Sequence, residues 1–161
     1  MQVREAMATD YEAIRDLLHA SDALHARHMP AVARVPDEPR FTRAELAELV
    51  ANEHCLLLVG EQAGVVMGFV EASVRMSERP DEADACWCGI NNLVVDPRRQ
   101  RRGLGTLLVS AVEDWARSQG IAQVRLDVFA FNHAAQALYA GLGYQTIALY
   151  VGKSLNDEAA R

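Results

Sequence analysis

Lysine is almost missing from this 161-residue chain, whose one lysine, Lys153, lies near the C-terminal end. A P-loop needs Gly-x-x-x-x-Gly-Lys-Ser/Thr, with the lysine on the phosphates, so this nucleotide-binding motif is excluded. Cysteine is also scarce. Cys55, Cys86 and Cys88 are odd in number and lack the companion Cys or His residues of a structural zinc site. We therefore expect reduced thiols and no bound metal.

The chain also lacks long apolar runs and an excess of positive charge. Its longest apolar runs, such as residues 55–60, are far too short to cross a bilayer, and residues 2–10 have no apolar stretch typical of a signal peptide. A net charge of −6 opposes nucleic-acid binding. We expect a cytoplasmic protein with neither a membrane nor a nucleic acid as partner.

What the chain does have is the composition and patterning of one globular domain. Hydrophobic residues make up 50% and charged residues 24%, and the length suits a single sizeable core. Helical and alternating apolar periods predict strands and helices that follow one another along the chain. The predicted order is a strand at 2–6, a helix capped by Thr9 or Asp10, a polar loop at 21–40, a helix after Thr42, a hairpin of 54–60 and 65–74, a charged connection at 78–83, a strand at 85–95, a helix from Gly103 to near Gly120, a strand at 124–129, a helix from Asn132 to Gly141 and a strand at 146–153.

Residues 94–106 join an apolar strand, a proline turn, four arginines and a glycine-spaced helix start. Apolar residues recur every three or four positions after Gly103, so the helix begins at the glycines. The first helical turn leaves backbone N–H groups without partners and carries partial positive charge, which favours a phosphate there. A dinucleotide fingerprint would need a third glycine where Leu108 stands. The stretch indicates a phosphate-binding loop, with a solvated basic turn as the other interpretation.

Two blocks of the sequence resemble the GNAT superfamily of N-acetyltransferases. Gln100-x-x-Gly103-x-Gly105 is similar to the superfamily's Gln/Arg-x-x-Gly-x-Gly/Ala pyrophosphate loop. Residues 132–144 are similar to its Asn-x-x-Ala-x-x-Leu-Tyr-x-x-x-Gly-Phe segment, with Tyr144 as the final aromatic residue. The resemblance implies one α/β (α+β) domain over residues 1–153, with a mixed central sheet of six to seven strands and helices on both faces, and a polar tail at 154–161.

The resemblance also implies acetyl-CoA as co-substrate and an amine as acceptor. Tyr139 would protonate the departing thiolate, although an ordinary core aromatic residue is the other interpretation, and Asn132 would cap a helix and bond the cofactor arm. The residues implied to bind acetyl-CoA are Leu93, Val94, Val95, Gln100, Arg101, Arg102, Gly103, Leu104, Gly105, Thr106, Asn132 and Tyr139. Candidates for contact with the acceptor are His28, Asn91 and Asn92.

A general base is harder to assign. Many members of the superfamily carry a glutamate at positions that correspond here to Gly89 or Asn91, and neither residue can take a proton from an amine. Glu71, Asp127 and His28 are the remaining candidates, each acting through water, although a solvated or structural side chain is the other interpretation of each. With Gly89 and Asn91 unable to accept a proton, we expect deprotonation of the amine to rely on bulk water or a water chain.

Two functions stay open at this point. One is direct acetyl transfer from acetyl-CoA to a primary amine of a small molecule or peptide. The other is a non-catalytic acyl-CoA-binding module or sensor that has lost its base. The oligomeric state is open as well, with a homodimer among the alternatives.

Overall fold

The fold is built on one five-stranded sheet. The structure, a computed structural model, describes residues 1–77, 85–153 and 155. In sheet order the strands are β1 (Gln2–Glu5), β2 (Cys55–Gln62), β3 (Val65–Met76), β4 (Cys86–Val95) and β5 (Val124–Leu126). Neighbouring strands from β1 to β4 are antiparallel, and β5 pairs with β4 in parallel.

Helices cover both faces of this sheet, as the sequence predicts. Because side chains alternate along a strand, Leu57, Val59 and Phe69 face one core and their neighbours face the other. The described residues form four α-helices, α1 (Tyr11–His28), α2 (Arg43–Ala51), α3 (Leu104–Ser118) and α4 (His133–Gly141). The first core contains apolar residues of α1 and α2, and the second contains those of α3 together with Tyr139 of α4. Within the described ranges, no helix has the length and apolar character needed to cross a membrane.

Local signals in the sequence set several element boundaries. Thr42 and Glu45 form the predicted capping box, in which Thr42 Oγ1 accepts from Glu45 N at 3.2 Å and Glu45 Oε2 accepts from Thr42 N at 2.7 Å. The hairpin between β2 and β3 turns on Ala63 and Gly64, both at positive φ, as two-residue hairpin turns require. Asn132 caps α4 through a 3.1 Å bond from Ala135 N to its Oδ1.

The strand count was the least accurate part of the predicted fold. Six to seven strands were expected, whereas the described residues contain five. The predicted strand at 146–153 has no assigned secondary structure and pairs with no strand in the described part of the chain, and β5 ends at Leu126 instead of residue 129. The apolar alternation of residues 146–153 is therefore present without a neighbouring strand to complete a ladder. The predicted connection at 78–83 and the predicted tail, apart from Leu155, lie outside the described residues.

The first helix also differs from the prediction. It continues to His28, although a loop was expected from residue 21, because Ala20, Ala23 and Ala26 are good helix formers and the first proline is Pro30. Asp10 does not cap it. Its carboxylate instead accepts from Met7 N at 2.8 Å and forms an ion pair with Arg4 at 2.7 Å, which lowers the pKa of Asp10.

Candidate active site

The site begins where β4 and β5 separate. β5 pairs with β4 only from Cys88 to Ile90, while β3 pairs with β4 as far as Val95. Within the described residues, one edge of β4 is therefore unpaired over Leu93, Val94 and Val95, and the side chains of these three residues pack into the two cores. Their backbone groups on the open side are available to an extended polar ligand.

The open edge of β4 leads directly to the N-terminus of α3. Gly103 is the N-cap, with φ of +82°, and a Cβ there would have no atom within 4 Å. A glycine offers no side-chain oxygen as a cap, so the N–H groups of Leu104, Gly105 and Thr106 point out of the helix end. The residues present fit a diphosphate, because free backbone N–H donors, the positive end of the helix dipole and open space lie together at the start of α3.

The two glycines of the loop have different tasks. A Cβ on Gly105 would lie 3.0 Å from Leu138 Cδ2, so this glycine allows α4 to pack close to the start of α3. Leu104 is 2% exposed, and its side chain fills the space above Gly60 and Gly68 in the sheet. Leu104 can thus contribute only its backbone to a ligand, and its side chain anchors the helix start in the core.

The basic loop, residues 98–102, is exposed, and two of its side chains bond to Asp96 and Val95 of the same chain. Arg98 pairs with Asp96 at 3.0 Å, and the pKa of Asp96 is lowered mainly by this side-chain bond. Gln100 donates from Nε2 to Val95 O at 3.3 Å. Arg101 and Arg102 lie exposed at the helix start, and Arg101 has a φ of +61°. Of the loop arginines, these two lie nearest in sequence to the N–H groups of α3.

Tyr139 belongs to the core on the α3 side of the sheet, where its ring meets that of Tyr144 edge-on at 5.6 Å. It is 8% exposed, and burial raises the pKa of Tyr139 to about 12. The phenol therefore keeps its proton at every working pH. Proton transfer to a thiolate of pKa about 8.5 would be uphill by roughly 5 kcal/mol. Asn132 Oδ1 accepts the capping hydrogen bond from Ala135 N, so Nδ2 is the side-chain atom that remains to contact a ligand.

Glu71 is a buried carboxylate held by both asparagines of β4. Glu71 Oε1 accepts from Asn91 Nδ2 at 3.1 Å, and Oε2 accepts from Asn92 Nδ2 at 2.5 Å. Consecutive strand residues normally point to opposite faces, but the register shifts here, with Glu71 opposite Asn92 and Ala72 opposite Ile90. Asn91 is the extra residue of this bulge, and the bulge lets two successive side chains reach one carboxylate.

Two arginines complete this polar network. Arg75 Nη2 donates to Asn91 Oδ1 at 2.6 Å, and Arg40 Nη1 donates to Asn92 Oδ1 at 3.2 Å. Arg40 also pairs with Asp22 of α1 at 3.3 Å, beside a pocket of about 190 Å³ between α1 and residues 36–41. Each asparagine thus accepts from an arginine and donates to Glu71. The network lies on the α1 side of the sheet, opposite Tyr139.

His28 lies in a separate aromatic cluster. Its ring stacks on Phe131 at 4.5 Å, and His25 packs on Phe129 at 4.6 Å, so the cluster joins the end of α1 to the segment after β5. Burial is the main cause that lowers the pKa of His25, with Asp22 and Arg40 acting in opposite directions. The candidate acceptor residues therefore lie in two places. Asn91 and Asn92 contact Glu71, whereas His28 belongs to the aromatic cluster at the end of α1.

Sequence reasoning missed several residues of this site. Asp22 lies three residues before His25 on the helix, and this spacing would have been recognised had the helix been predicted beyond residue 21. Phe129 and Phe131 lie just before Asn132 and could have been noticed as an aromatic pair. Arg40 had no local signal in the sequence.

Two other positions named in the sequence analysis are also placed by the structure. Asp127, another candidate base, is exposed just after β5. At Gly89, a Cβ would lie 3.1 Å from Arg75 Cγ.

Comparisons with known proteins agree with this geometry. The model of the Acetyltransferase (GNAT) family matches residues 13–144. An aminoglycoside N(6')-acetyltransferase type 1 of Klebsiella aerogenes is 29% identical over 114 residues, which are 66% of this chain and 72% of that protein. A mutant of a Bacillus halodurans protein has a TM-score of 0.88 at 23% identity, covering 97% of this chain and 100% of that one. An aminoglycoside N-acetyltransferase in complex with CoA has a TM-score of 0.68 at 19% identity, covering 96% and 99%.

Proposed function

Because this chain belongs to the GNAT acetyltransferase family, we propose that it is an acetyl-CoA-dependent N-acetyltransferase acting on a primary amine of a small molecule or peptide. The observation that supports the proposal is the edge of β4 that is unpaired after Ile90 within the described residues, followed along the chain by the uncapped N-terminus of α3 at Gly103. When bound, acetyl-CoA supplies an activated thioester. The backbone of Leu93–Val95 would hold its arm, and the N–H groups of residues 104–106 with Arg101 and Arg102 would hold its phosphates.

We propose Glu71 as the general base, acting directly or through one water. Of the three candidates, it is the one that lies beside the bulge where β4 leaves β5, and it is 7% exposed. Asn91 and Asn92 fix the orientation of its carboxylate, and each oxygen keeps lone-pair capacity for a proton. The proposed base therefore lies on β3, whereas the family resemblance implies a base at the β4 positions Gly89 or Asn91.

In the proposed reaction the acetyl group passes directly to the amine, Glu71 accepts the proton of the amine and Tyr139 donates a proton to the thiolate. The amine would approach from the α1 side, give its proton to Glu71 and attack the thioester carbon. Tyr139, on the opposite face, would donate a proton as the thiolate leaves. Cys88 is poorly suited to form an acyl-enzyme, since it is fully buried and burial raises its pKa to about 11.

An amine panel with acetyl-CoA and a free-thiol readout tests the proposal. We expect thiol release with at least one amine, and loss of most of it in Tyr139→Phe. Acetyl-CoA binding by calorimetry without thiol release from any amine class would instead support the non-catalytic acyl-CoA-binding module.

A further inference from the structure

An exposed arginine lies beside the proposed base on the α1 side of the sheet. Arg75 of β3 donates from Nη2 to Asn91 Oδ1 at 2.6 Å. Asn91 Nδ2 in turn donates to Glu71 Oε1 at 3.1 Å. One asparagine amide therefore lies between a guanidinium and the carboxylate, so a positive and a negative group are held a short, fixed distance apart.

The side chain of Arg75 is held in this position by its neighbours. A Cβ on Gly89 would lie 3.1 Å from Arg75 Cγ and 3.5 Å from Arg75 Nε, so only a glycine leaves the arginine stem room to lie over β4. Asn91, at the far end of the stem, is itself fixed, because its Nδ2 also donates to Ser73 Oγ at 3.1 Å. An arginine that is ordered before a ligand arrives loses little further conformational entropy when the ligand binds.

Arg75 differs in charge balance from Arg40, the other arginine of this network. Arg40 forms an ion pair with Asp22 at 3.3 Å, so its charge is offset within the chain. Among the described residues, Arg75 bonds to the neutral amide of Asn91 and to no carboxylate. A guanidinium carries several N–H donors in a planar fork, and those that Asn91 does not use can bind an anion.

We propose that Arg75 binds an anionic group of the acceptor, and that the preferred acceptor is an amine carrying a carboxylate or phosphate a few atoms from its nitrogen. This inference rests on the proposed acetyl transfer with Glu71 as base. The amine would lie at Glu71 and the anion at Arg75, and the Asn91 amide sets the distance between them. A guanidinium binds both carboxylate and phosphate, and it repels an acceptor that places a second positive charge there.

The binding of matched amines tests the proposal without requiring turnover. Each pair differs in its anionic group: β-alanine and other amino acids are compared with their carboxamides, and aminoethyl phosphate is compared with ethanolamine. Affinities are measured by ligand-observed NMR, in the free protein and in the protein saturated with CoA, which has no acetyl group to transfer. At least one anionic amine should bind on the order of tenfold more tightly than its neutral analogue, and the pair that shows this preference distinguishes carboxylate from phosphate. The absence of such a preference in every pair overturns the proposal.

Variants show whether the preference comes from Arg75. Arg75→Gln keeps a donor for Asn91 Oδ1 but removes the charge, so the two members of a pair should bind equally. Arg75→Lys keeps the charge without the fork and should retain part of the preference. Arg117→Gln is the matched control, because it removes the same charge from α3, where Arg117 pairs with Asp114 at 2.6 Å, and it should keep the native preference. A preference that survives in Arg75→Gln, or that is lost equally in Arg117→Gln, overturns the proposal.

Thiol release from acetyl-CoA separates this inference from the proposed function. If anionic amines bind with a preference that depends on Arg75 but none of them releases thiol, the binding site stands and the proposed acetyl transfer fails. If amines are acetylated with no preference for an anionic group, the acetyl transfer stands and the role of Arg75 is refuted.

Discussion

The bare helix start at Gly103 gives the sharpest prediction about cofactor binding. Gly103→Glu forces a side chain into positive φ, which costs about 1–2 kcal/mol, but its Cβ meets no atom within 4 Å. The new carboxylate would face the bound diphosphate. At roughly 4 Å the repulsion per charge pair is between about 1 and 4 kcal/mol, which corresponds to a loss of affinity of roughly five- to a thousandfold.

Gly64→Glu provides the matched control. Gly64 has φ of +75° and also has no atom within 4 Å of a Cβ, but it lies in the β2–β3 hairpin. Both variants should lower Tm by about 2–8 °C, since each stores the same backbone strain. In calorimetric titration with acetyl-CoA, only Gly103→Glu should lose affinity. Unchanged affinity in a folded Gly103→Glu variant would refute the assignment of the phosphate site.

Three further predictions concern protons. Tyr139→Phe should lower kcat on the order of a hundredfold with little change in acetyl-CoA affinity, and an unaltered kcat would mean that water donates the proton. Glu71→Gln should lower kcat/KM on the order of a hundredfold or more, and the ascending limb of kcat/KM against pH in the native chain should stay at one pH for two amines about two pKa units apart; a limb that moves with the amine would show that no enzyme base acts, as predicted from the sequence. His25 has a folded pKa below its ordinary value of 6.5, so its contribution to stability is present above that value and is lost as the pH falls through the folded pKa. Urea midpoints should therefore fall on acidification in the native chain and fall less in His25→Gln, and equal slopes would contradict this account.

The polar network around Glu71 also explains why the proposed base is not found from a sequence motif. A carboxylate on β3 becomes part of the site only because the β4 bulge turns Asn91 and Asn92 toward it together. Arg40 reaches the same network from a loop 52 residues away in sequence. None of these contacts has a fixed spacing along the chain. At the β4 positions where many family members carry a glutamate, this chain has Gly89 and Asn91, and neither can act as a base.

Local chemistry determined those parts of the structure that depend on neighbours in sequence. The caps at Thr42 and Asn132, the hairpin turn at Gly64 and the helix start at Gly103 follow from side-chain oxygens or from glycine's tolerance of positive φ. The amphipathic period of α3 and the apolar runs of β2 and β3 likewise predicted a sheet with helices on both faces. The candidate phosphate loop could therefore be located without tertiary information.

Contacts between distant segments decided the rest. The separation of β4 from β5 after Ile90, the bulge at Asn91 and the burial that raises the pKa of Tyr139 arise only when strands and helices pack. Residues 146–153 show the limit most clearly, because their alternation predicts a strand but contains no information about which edge it joins. A period of two specifies faces, whereas partners are chosen by the edges that the whole fold leaves unpaired.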